Sequence, residues 1–165
     1  MPPSLTRQEA ERLVNTYADL ILRLSYTYLS HTHDAQDICQ TVFLKLIERR
    51  PAFASSEHEK AWIIRTTINA CKDHLKSHWR KTTVPIEAAQ HVPAPSAEPG
   101  SILASVNLLP PKYRAVIYLH YYEGYSVREI ASLLGQSESA VSAHLSRGRK
   151  SLRTTLGGDL YEQRV

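Results

Sequence analysis

The chain has 165 residues, 42% of them hydrophobic, and a formal net charge of +4 at pH 7. This length predicts one domain or two small ones, and no apolar run approaches the roughly 18 residues of a transmembrane helix. The N-terminal residues lack the apolar segment of a secretory signal. Two cysteines, Cys39 and Cys71, are too few for a disulfide scaffold or a four-ligand zinc site. We therefore expect a cytoplasmic protein whose cysteines are small buried hydrophobic side chains.

The first helical pattern begins near Thr6. Thr6 and Glu9 form an S/T-x-x-E capping box, which satisfies free backbone N–H groups at a helix start. Apolar side chains then recur at three- and four-residue steps, as on one face of a helix. These side chains are Leu13, Tyr17, Leu20, Ile21, Leu24 and Tyr28. A break is expected at residues 31–33.

Two more helices are predicted before residue 81. The second begins after Asp34, a favourable N-cap, and ends before Pro51. Its expected apolar face consists of Ile38, Val42, Phe43, Leu46 and Ile47. A polar loop over 54–59 precedes the third helix, at about 60–80, whose expected buried stripe is Ala61, Ile64, Ile68, Cys71 and Leu75. Another side of this helix carries the basic and amide groups of Arg65, Asn69, Lys72, Lys76 and Arg80.

The composition changes after residue 81. Four prolines and four alanines within residues 82–101 are typical of a flexible, semi-extended linker. Helical patterns resume near Ile102, and two prolines at 110 and 111 end one short helix and open the next. We therefore expect an all-α protein with a first domain over 1–81, a linker over 82–103 and a second domain over 104–165.

The second domain has the spacing of a helix-turn-helix. An apolar helix carrying Tyr113, Val116, Ile117 and Tyr121 ends at Gly124. Ser126 and Glu129 then form a capping box for a helix through Leu134, and Gly135 is placed to terminate it. Ser137 caps a last helix at about 138–153. The expected contacts between these two last helices come from Ile130, Ala131, Leu134, Val141 and Leu145.

In a helix-turn-helix, the second helix lies in the major groove, with its N-terminal residues at the base edges. The outward positions here are Glu138, Ser139, Ser142, Ala143, His144 and Ser146. Arg147, Arg149 and Lys150 follow and are suited to phosphates. The alternative is a helical hairpin with a solvated basic end.

Two separated stretches resemble the sigma-70 family of bacterial RNA polymerase sigma factors, in its extracytoplasmic-function (ECF) group. The run from Asp34 to Leu44, DAQDICQTVFL, is similar to regions 2.1–2.2, and Trp62-Ile63-Ile64-Arg65 with Asn69 and Asp73 is similar to regions 2.3–2.4. Leu108–Arg153, with its helix-turn-helix, is similar to region 4. The order and spacing of these pieces around a linker make the resemblance specific.

The resemblance implies three sets of site residues. The second helix would dock on the clamp helices of the largest polymerase subunit through Asp34, Asp37, Gln40 and Lys45. Opened −10 DNA would contact Trp62, Arg65, Asn69, Lys72, Lys76, Arg80 and Lys81, although Trp62 is equally suited to the core. The −35 duplex would contact Ser139, Ser142, Ala143, His144, Arg147, Arg149 and Lys150. At Ser142-Ala143-His144 the family often has more basic side chains, which predicts weaker or different contacts there.

The implied function is that of a promoter-specificity subunit with no catalytic site. Its implied partners are core RNA polymerase, including the flap region, promoter DNA and an anti-sigma protein, with no cofactor, no metal and no membrane insertion. One alternative is a free-standing helix-turn-helix regulator acting without polymerase; another is a regulatory module that binds a partner protein without contacting DNA. A histidine-metal hydrolase is a third, from His31 and His33 or His74 and His78, but Leu75 stands where an H-E-x-x-H motif needs glutamate.

Overall fold

The computed structural model describes residues 5–49, 51–81 and 102–155, and their regular elements are all helical. The helices fall into two compact units, α1–α3 and α4–α7. The helices are α1 (Arg7–Leu29), α2 (Thr32–Arg49), α3 (Ser56–Lys81), α4 (Ile102–Asn107), α5 (Pro111–Ile117), α6 (Val127–Leu134) and α7 (Glu138–Thr155). A π-helical turn, Tyr118–Tyr122, continues α5. The predicted linker, apart from residues 102 and 103, lies outside the described residues.

The first unit is a three-helix bundle in which each helix packs on the other two. The predicted stripe of α1 is confirmed, because all six of its side chains are buried. Ile38, Val42 and Leu46 of α2 and Ile64, Ile68 and Cys71 of α3 complete the predicted part of the core. The Thr6 hydroxyl accepts a hydrogen bond from the Glu9 backbone N–H at 3.1 Å, which confirms the predicted N-cap.

The start of α2 differs from the prediction. The helix begins at Thr32, so Asp34 lies in its first turn and is not the N-cap. Ser30 ends α1 in the left-handed conformation, with φ at 56°, and leaves room for only one residue between the helices. That residue, His31, accepts the Asp34 backbone N–H through its ring Nδ1 at 3.4 Å. The His31 ring therefore caps α2, in place of the Asp34 carboxylate that the sequence predicts.

Helix α3 also begins earlier than predicted. It starts at Ser56, so most of the expected 54–59 loop is helical. Ser55 accepts the His58 backbone N–H at 3.1 Å and acts as the N-cap. The polar residues of this segment predict a loop, because polarity alone does not distinguish a loop from the exposed first turn of a helix. Its acidic side chains, Glu57 and Glu59, instead suit the positive end of the helix dipole.

In the second unit, the two prolines act as predicted, since α4 ends at Asn107 and α5 begins at Pro111. Arg114 is buried and donates to the Asn107 carbonyl at 3.2 Å, which ties the end of α4 to α5. Tyr121, which the sequence places on the same apolar helix as Val116 and Ile117, is 52% exposed. It lies in the π-helical turn, which has more residues per turn than the α-helical spacing assumed from the sequence.

Helix α7 approaches α5 closely at Gly148. A Cβ at this position would lie 2.6 Å from Cδ1 and 3.3 Å from Cγ1 of the buried Ile117. We expect Gly148→Ala to destabilise the second unit by about 1 kcal/mol, because overpacking costs about 1–3 kcal/mol and the better helix propensity of alanine returns about 1.

Thermal and urea unfolding of Gly148→Ala, Ile117→Val and the double variant test this contact. Valine lacks the Cδ1 atom that the new Cβ would meet. In the Ile117→Val background, we therefore expect Gly148→Ala to become neutral or stabilising. Equal costs in both backgrounds would rule out the steric explanation.

Candidate DNA and polymerase interfaces

One face of α3 carries most of the residues assigned to −10 DNA. Their spacing of three, four, three and four residues places them on the same side of the helix: they are Trp62, Arg65, Asn69, Lys72 and Lys76. Arg65, Asn69 and Lys76 are exposed, while Trp62 and Lys72 are partly buried. The 14 residue steps from Trp62 to Lys76 span about 21 Å at 1.5 Å per residue, or roughly six nucleotides at B-form spacing. The side chains of Arg80 and Lys81 lie outside the described part of α3.

An aromatic cluster lies at the start of this face. The Phe53 ring meets Trp62 edge-on at 5.9 Å and His58 edge-on at 5.5 Å between ring centroids. The Ala54 backbone N–H donates to His58 Nδ1 at 3.1 Å, which holds the preceding loop against the first turn of α3. Trp62 is thus both packed within the unit and partly exposed, so a role in the core is compatible with a contact to −10 DNA.

An ion pair that the sequence did not indicate, between the exposed Arg12 and the buried Glu59, holds the N-terminus of α3. Glu59 is only 8% exposed, and its two carboxylate oxygens accept from the two Arg12 Nη atoms at 3.1 and 3.0 Å. The Tyr17 hydroxyl donates to the same carboxylate at 2.6 Å. These partners are 47 and 42 residues apart in sequence, so no local pattern could reveal them. The network anchors the proposed DNA-facing helix to α1.

The Glu59 network makes stability depend on pH. The hydrogen bonds from Arg12 hold the pKa of the Glu59 carboxyl below its usual value, against the opposing effect of burial. Since the folded-state pKa lies below the unfolded one, this stabilisation is complete above about pH 5 and is lost as the pH falls through the folded-state value. Urea unfolding at a series of pH values should show a smaller loss of stability on acidification in Glu59→Gln than in the wild type.

Glu57→Gln is the matched control, because Glu57 is exposed in the same helical turn. At pH 7 we expect Glu59→Gln to cost about 1–3 kcal/mol, the range for hydrogen bonds to charged groups. Identical acid profiles for the wild type and Glu59→Gln would contradict the assignment.

The four predicted docking residues do not share one environment. Asp37 and Gln40 are exposed on α2. Asp34 is partly buried, and its Oδ2 lies 3.5 Å from His74 Nε2 and 3.7 Å from His31 Nδ1. Lys45 is also partly buried. Asp34 therefore contacts α3 as well as facing solvent, whereas Asp37 and Gln40 are open to a partner.

Two exposed apolar side chains of α2 lie beside Asp37 and Gln40. Leu44 is 57% exposed, and Ile47, which the sequence assigned to the core, is 41% exposed. With Asp37 and Gln40 they follow a helical spacing of three, four and three residues, so the four side chains lie on one face. This spacing is visible in the sequence, but Ile47 also fits the apolar face that the sequence predicts for α2. We define the outer face of α2 as Asp37, Gln40, Leu44 and Ile47.

The helix-turn-helix forms as predicted from its caps. Ser126 accepts the Glu129 N–H at 3.1 Å, Gly135 ends α6 with φ at 63°, and Ser137 accepts the Ala140 N–H at 3.1 Å. Ile130, Ala131, Val141 and Leu145 are buried between the helices as expected. Leu133 is buried where the sequence had selected Leu134, which is only partly buried.

The residues assigned to the −35 duplex divide into two groups. Ser139, Ser142, Arg147, Arg149 and Lys150 are exposed along α7, while Ala143 and His144 are partly buried. The His144 ring lies 5.5 Å from the Tyr113 ring of α5. Burial, with the charges of Lys112 and Arg147, lowers the pKa of His144. A neutral, half-buried imidazole is less suited to a DNA contact than the neighbouring serines.

The two cysteines are buried or partly buried. Burial raises the pKa of the Cys71 thiol to about 12 and raises that of Cys39, so both favour the unreactive thiol form. Within residues 5–49, 51–81 and 102–155, no group of three or more histidine, cysteine or acidic side chains could hold a metal ion. None of the helices described combines the length and apolarity that a membrane span requires.

Comparisons with known proteins identify both units. A family model described as Sigma-70 region 2 matches residues 13–81, and one described as Sigma-70, region 4 matches residues 100–152. The first segment contains most of α1 and all of α2 and α3, and the second contains α4–α6 and most of α7. The two matched domains occur in the order predicted from the sequence.

Curated relatives carry the same designation over nearly the whole chain. ECF RNA polymerase sigma factor SigE of Mycolicibacterium smegmatis is 30% identical over 88% of this chain, which spans 61% of that protein's length. SigW of Bacillus subtilis, also an ECF sigma factor, is 27% identical, with 87% of each chain covered. RNA polymerase sigma factor CarQ of Myxococcus xanthus is 30% identical, covering 74% of this chain and 75% of CarQ. The chain belongs to the sigma-70 family of RNA polymerase sigma factors, in its ECF group.

Solved structures share the fold at low sequence identity. The sigma factor RpoE of Bartonella quintana, in complex with the anti-sigma factor NepR, has a TM-score of 0.74 at 18% identity, covering 92% of this chain and 99% of that chain. CnrH, in complex with the cytosolic domain of CnrY, has a TM-score of 0.65 at 22% identity, covering 93% of this chain and 91% of that chain.

Proposed function

We propose that this protein is a promoter-specificity subunit that binds core RNA polymerase and directs it to promoters by contacting −35 duplex and opened −10 DNA. The observation that supports this most directly is the presence in one chain of two different surfaces whose side chains suit DNA. One is the basic and amide face of α3, and the other is the exposed cationic part of α7. The protein contributes recognition, and the polymerase contributes the nucleotidyl transfer.

The −10 contacts are assigned to the face of α3. Unpaired bases require stacking surfaces and hydrogen-bonding groups, and their phosphates require positive charge. Trp62 offers a ring, Asn69 an amide, and Arg65, Lys72 and Lys76 the charges. Arg80 and Lys81 would continue the positive charge. Strand opening costs base-pairing energy, which these contacts with the separated strand would offset.

Polymerase docking is assigned to the outer face of α2. Its polar residues, Asp37 and Gln40, lie beside exposed Leu44 and Ile47. An exposed mixture of apolar and polar groups is the usual composition of a protein interface. Asp34 and Lys45 belong to the edge of this surface, where Asp34 also contacts His31 and His74.

We assign the −35 duplex to α7, with Ser139 and Ser142 at the base edges and Arg147, Arg149 and Lys150 at phosphates. The set has no exposed arginine or asparagine at the N-terminal turns of α7, and those side chains give the strongest base contacts. Binding through α7 alone would therefore be modest. Docking of the same chain on the polymerase would compensate for this modest affinity. Once one contact is made, the effective concentration of α7 near the −35 duplex is higher.

An anti-sigma protein is a further expected partner, since RpoE, which shares this fold, was solved in complex with the anti-sigma factor NepR. Its binding would compete with polymerase or promoter DNA for the surfaces described above. The same purified factor should then lose activity when such a protein is added.

Run-off transcription with purified protein and bacterial core polymerase tests the proposed function. The template is the DNA upstream of the protein's own gene, and a defined transcript that requires the protein is the expected result. Co-elution with core polymerase without a transcript would reject that template as a promoter. Failure of both assays, with tight binding of the protein alone to a symmetric DNA site, would favour a free-standing regulator.

A further inference from the structure

Tyr121 and Arg149 meet on the surface of the second unit. Arg149 Nη1 donates a hydrogen bond to the Tyr121 hydroxyl at 3.0 Å, and both side chains are exposed. The residues are 28 positions apart and come from the π-helical turn and α7. Such a contact must restrain a long, flexible arginine side chain, which costs conformational entropy.

The tyrosine is itself held in place by a second set of contacts. The His120 ring meets the Tyr121 ring edge-on, with 4.9 Å between centroids. His120 Nδ1 lies 2.8 Å from the Tyr125 carbonyl oxygen, beyond the end of the π-helical turn. The Tyr121 hydroxyl therefore has a defined position from which to orient Arg149.

Arg149 keeps most of its hydrogen-bonding capacity in this arrangement. A guanidinium carries five N–H donors, and Tyr121 accepts one of them. The remaining donors can bind the oxygens of a phosphate in the forked geometry that arginine favours. Fixing the guanidinium before DNA arrives lowers the entropy lost on binding.

From this geometry we infer that Tyr121 is a positioning residue for a DNA-phosphate contact made by Arg149. The inference rests on the proposed function, and adds to it a residue outside the helix-turn-helix. Tyr121 lies in the π-helical turn, where its side chain is 52% exposed and its hydroxyl reaches Arg149 of α7. π-helical turns are frequent at functional sites, in agreement with this role.

Salt-dependent binding of the full chain to a fluorescein-labelled, mixed-sequence DNA duplex tests the inference. A mixed sequence is suitable because phosphate contacts do not depend on base identity. Arg149→Gln should weaken binding about tenfold and reduce the slope of log affinity against log salt by about 0.9, the value for one phosphate. Tyr121→Phe should weaken binding about threefold without changing the slope, because the charge remains.

The double variant distinguishes positioning from an independent contact. If Tyr121 acts through Arg149, Tyr121→Phe with Arg149→Gln should bind as Arg149→Gln alone. Tyr122→Phe is the matched control: it removes the same hydroxyl from the next ring, which stacks on Tyr118 at 5.1 Å, and should bind as the wild type. Thermal unfolding of each variant separates altered binding from altered folding.

Wild-type affinity in Tyr121→Phe, or losses that multiply in the double variant, would overturn the inference. An unchanged salt slope in Arg149→Gln would also overturn it, since Arg149 would then contact no phosphate. Each of these results is compatible with a transcript in the run-off assay, which tests the proposed function separately. Absence of both a run-off transcript and co-elution with core polymerase for the wild-type protein would instead reject the proposed function.

Discussion

Replacing Leu44 with aspartate should lower the affinity of the protein for core RNA polymerase by about 100-fold. Leu44 is 57% exposed in the middle of the outer face of α2. Docking would bury it, a gain of up to about 1.5–3 kcal/mol for a full leucine side chain. The substitution removes that gain and places a carboxylate in a desolvated contact. A total loss of binding free energy near 3 kcal/mol corresponds to the expected 100-fold loss of affinity.

The matched control for this variant is Val14→Asp. Val14 is also an exposed apolar residue of the first unit, 46% exposed, but it lies on α1. Both variants should fold, because neither changes a buried side chain. Titration of labelled protein with core polymerase gives the two affinities. Wild-type binding by Leu44→Asp would remove the outer face of α2 from the docking surface.

Asn69→Ala should reduce promoter opening by about tenfold while leaving polymerase binding unchanged. Asn69 is exposed at the centre of the α3 face and carries its one side-chain amide among Trp62, Arg65, Lys72 and Lys76. Amide contacts with a base contribute about 1–3 kcal/mol. Loss of such a contact with the opened strand should lower the open-complex population without affecting α2.

Permanganate reactivity of unpaired thymines in holoenzyme–promoter complexes measures this opening. Asn15→Ala is the control, because Asn15 is an exposed asparagine on α1. Its promoter opening should equal that of the wild type. Equal opening by Asn69→Ala would rule out the assigned role of this amide, whereas a parallel loss of polymerase affinity would point to a general effect on the first unit.

Regular periodicity and local caps made much of this fold predictable. The α1 stripe and the Thr6 cap follow from residues a few positions apart, as do the caps and the terminating glycine of the helix-turn-helix. Family resemblance supplied the functional assignment that these patterns could not. The features that the sequence predicted correctly are therefore helix caps, terminating glycines and apolar stripes, whose residues lie within a few positions of one another.

The differences arise where structure depends on distant partners or on irregular helical geometry. Glu59 looked like a loop residue because its partners, Arg12 and Tyr17, lie on another helix. The exposed Tyr121 lies in a π-helical turn, whose period differs from that of the α-helix expected there. The contact of the His144 ring with Tyr113 is tertiary and has no signal in the local sequence. No window of a few residues contains any of this information.

The close approach at Gly148 has an evolutionary consequence. Because the backbone of α7 lies against the Ile117 side chain, the two positions share one fixed volume. A relative with alanine at the first position should carry a smaller side chain at the second, and the two substitutions should be inherited together. The constraint links α5 to the helix proposed to contact DNA, so selection on Ile117 limits which sequences α7 can accept.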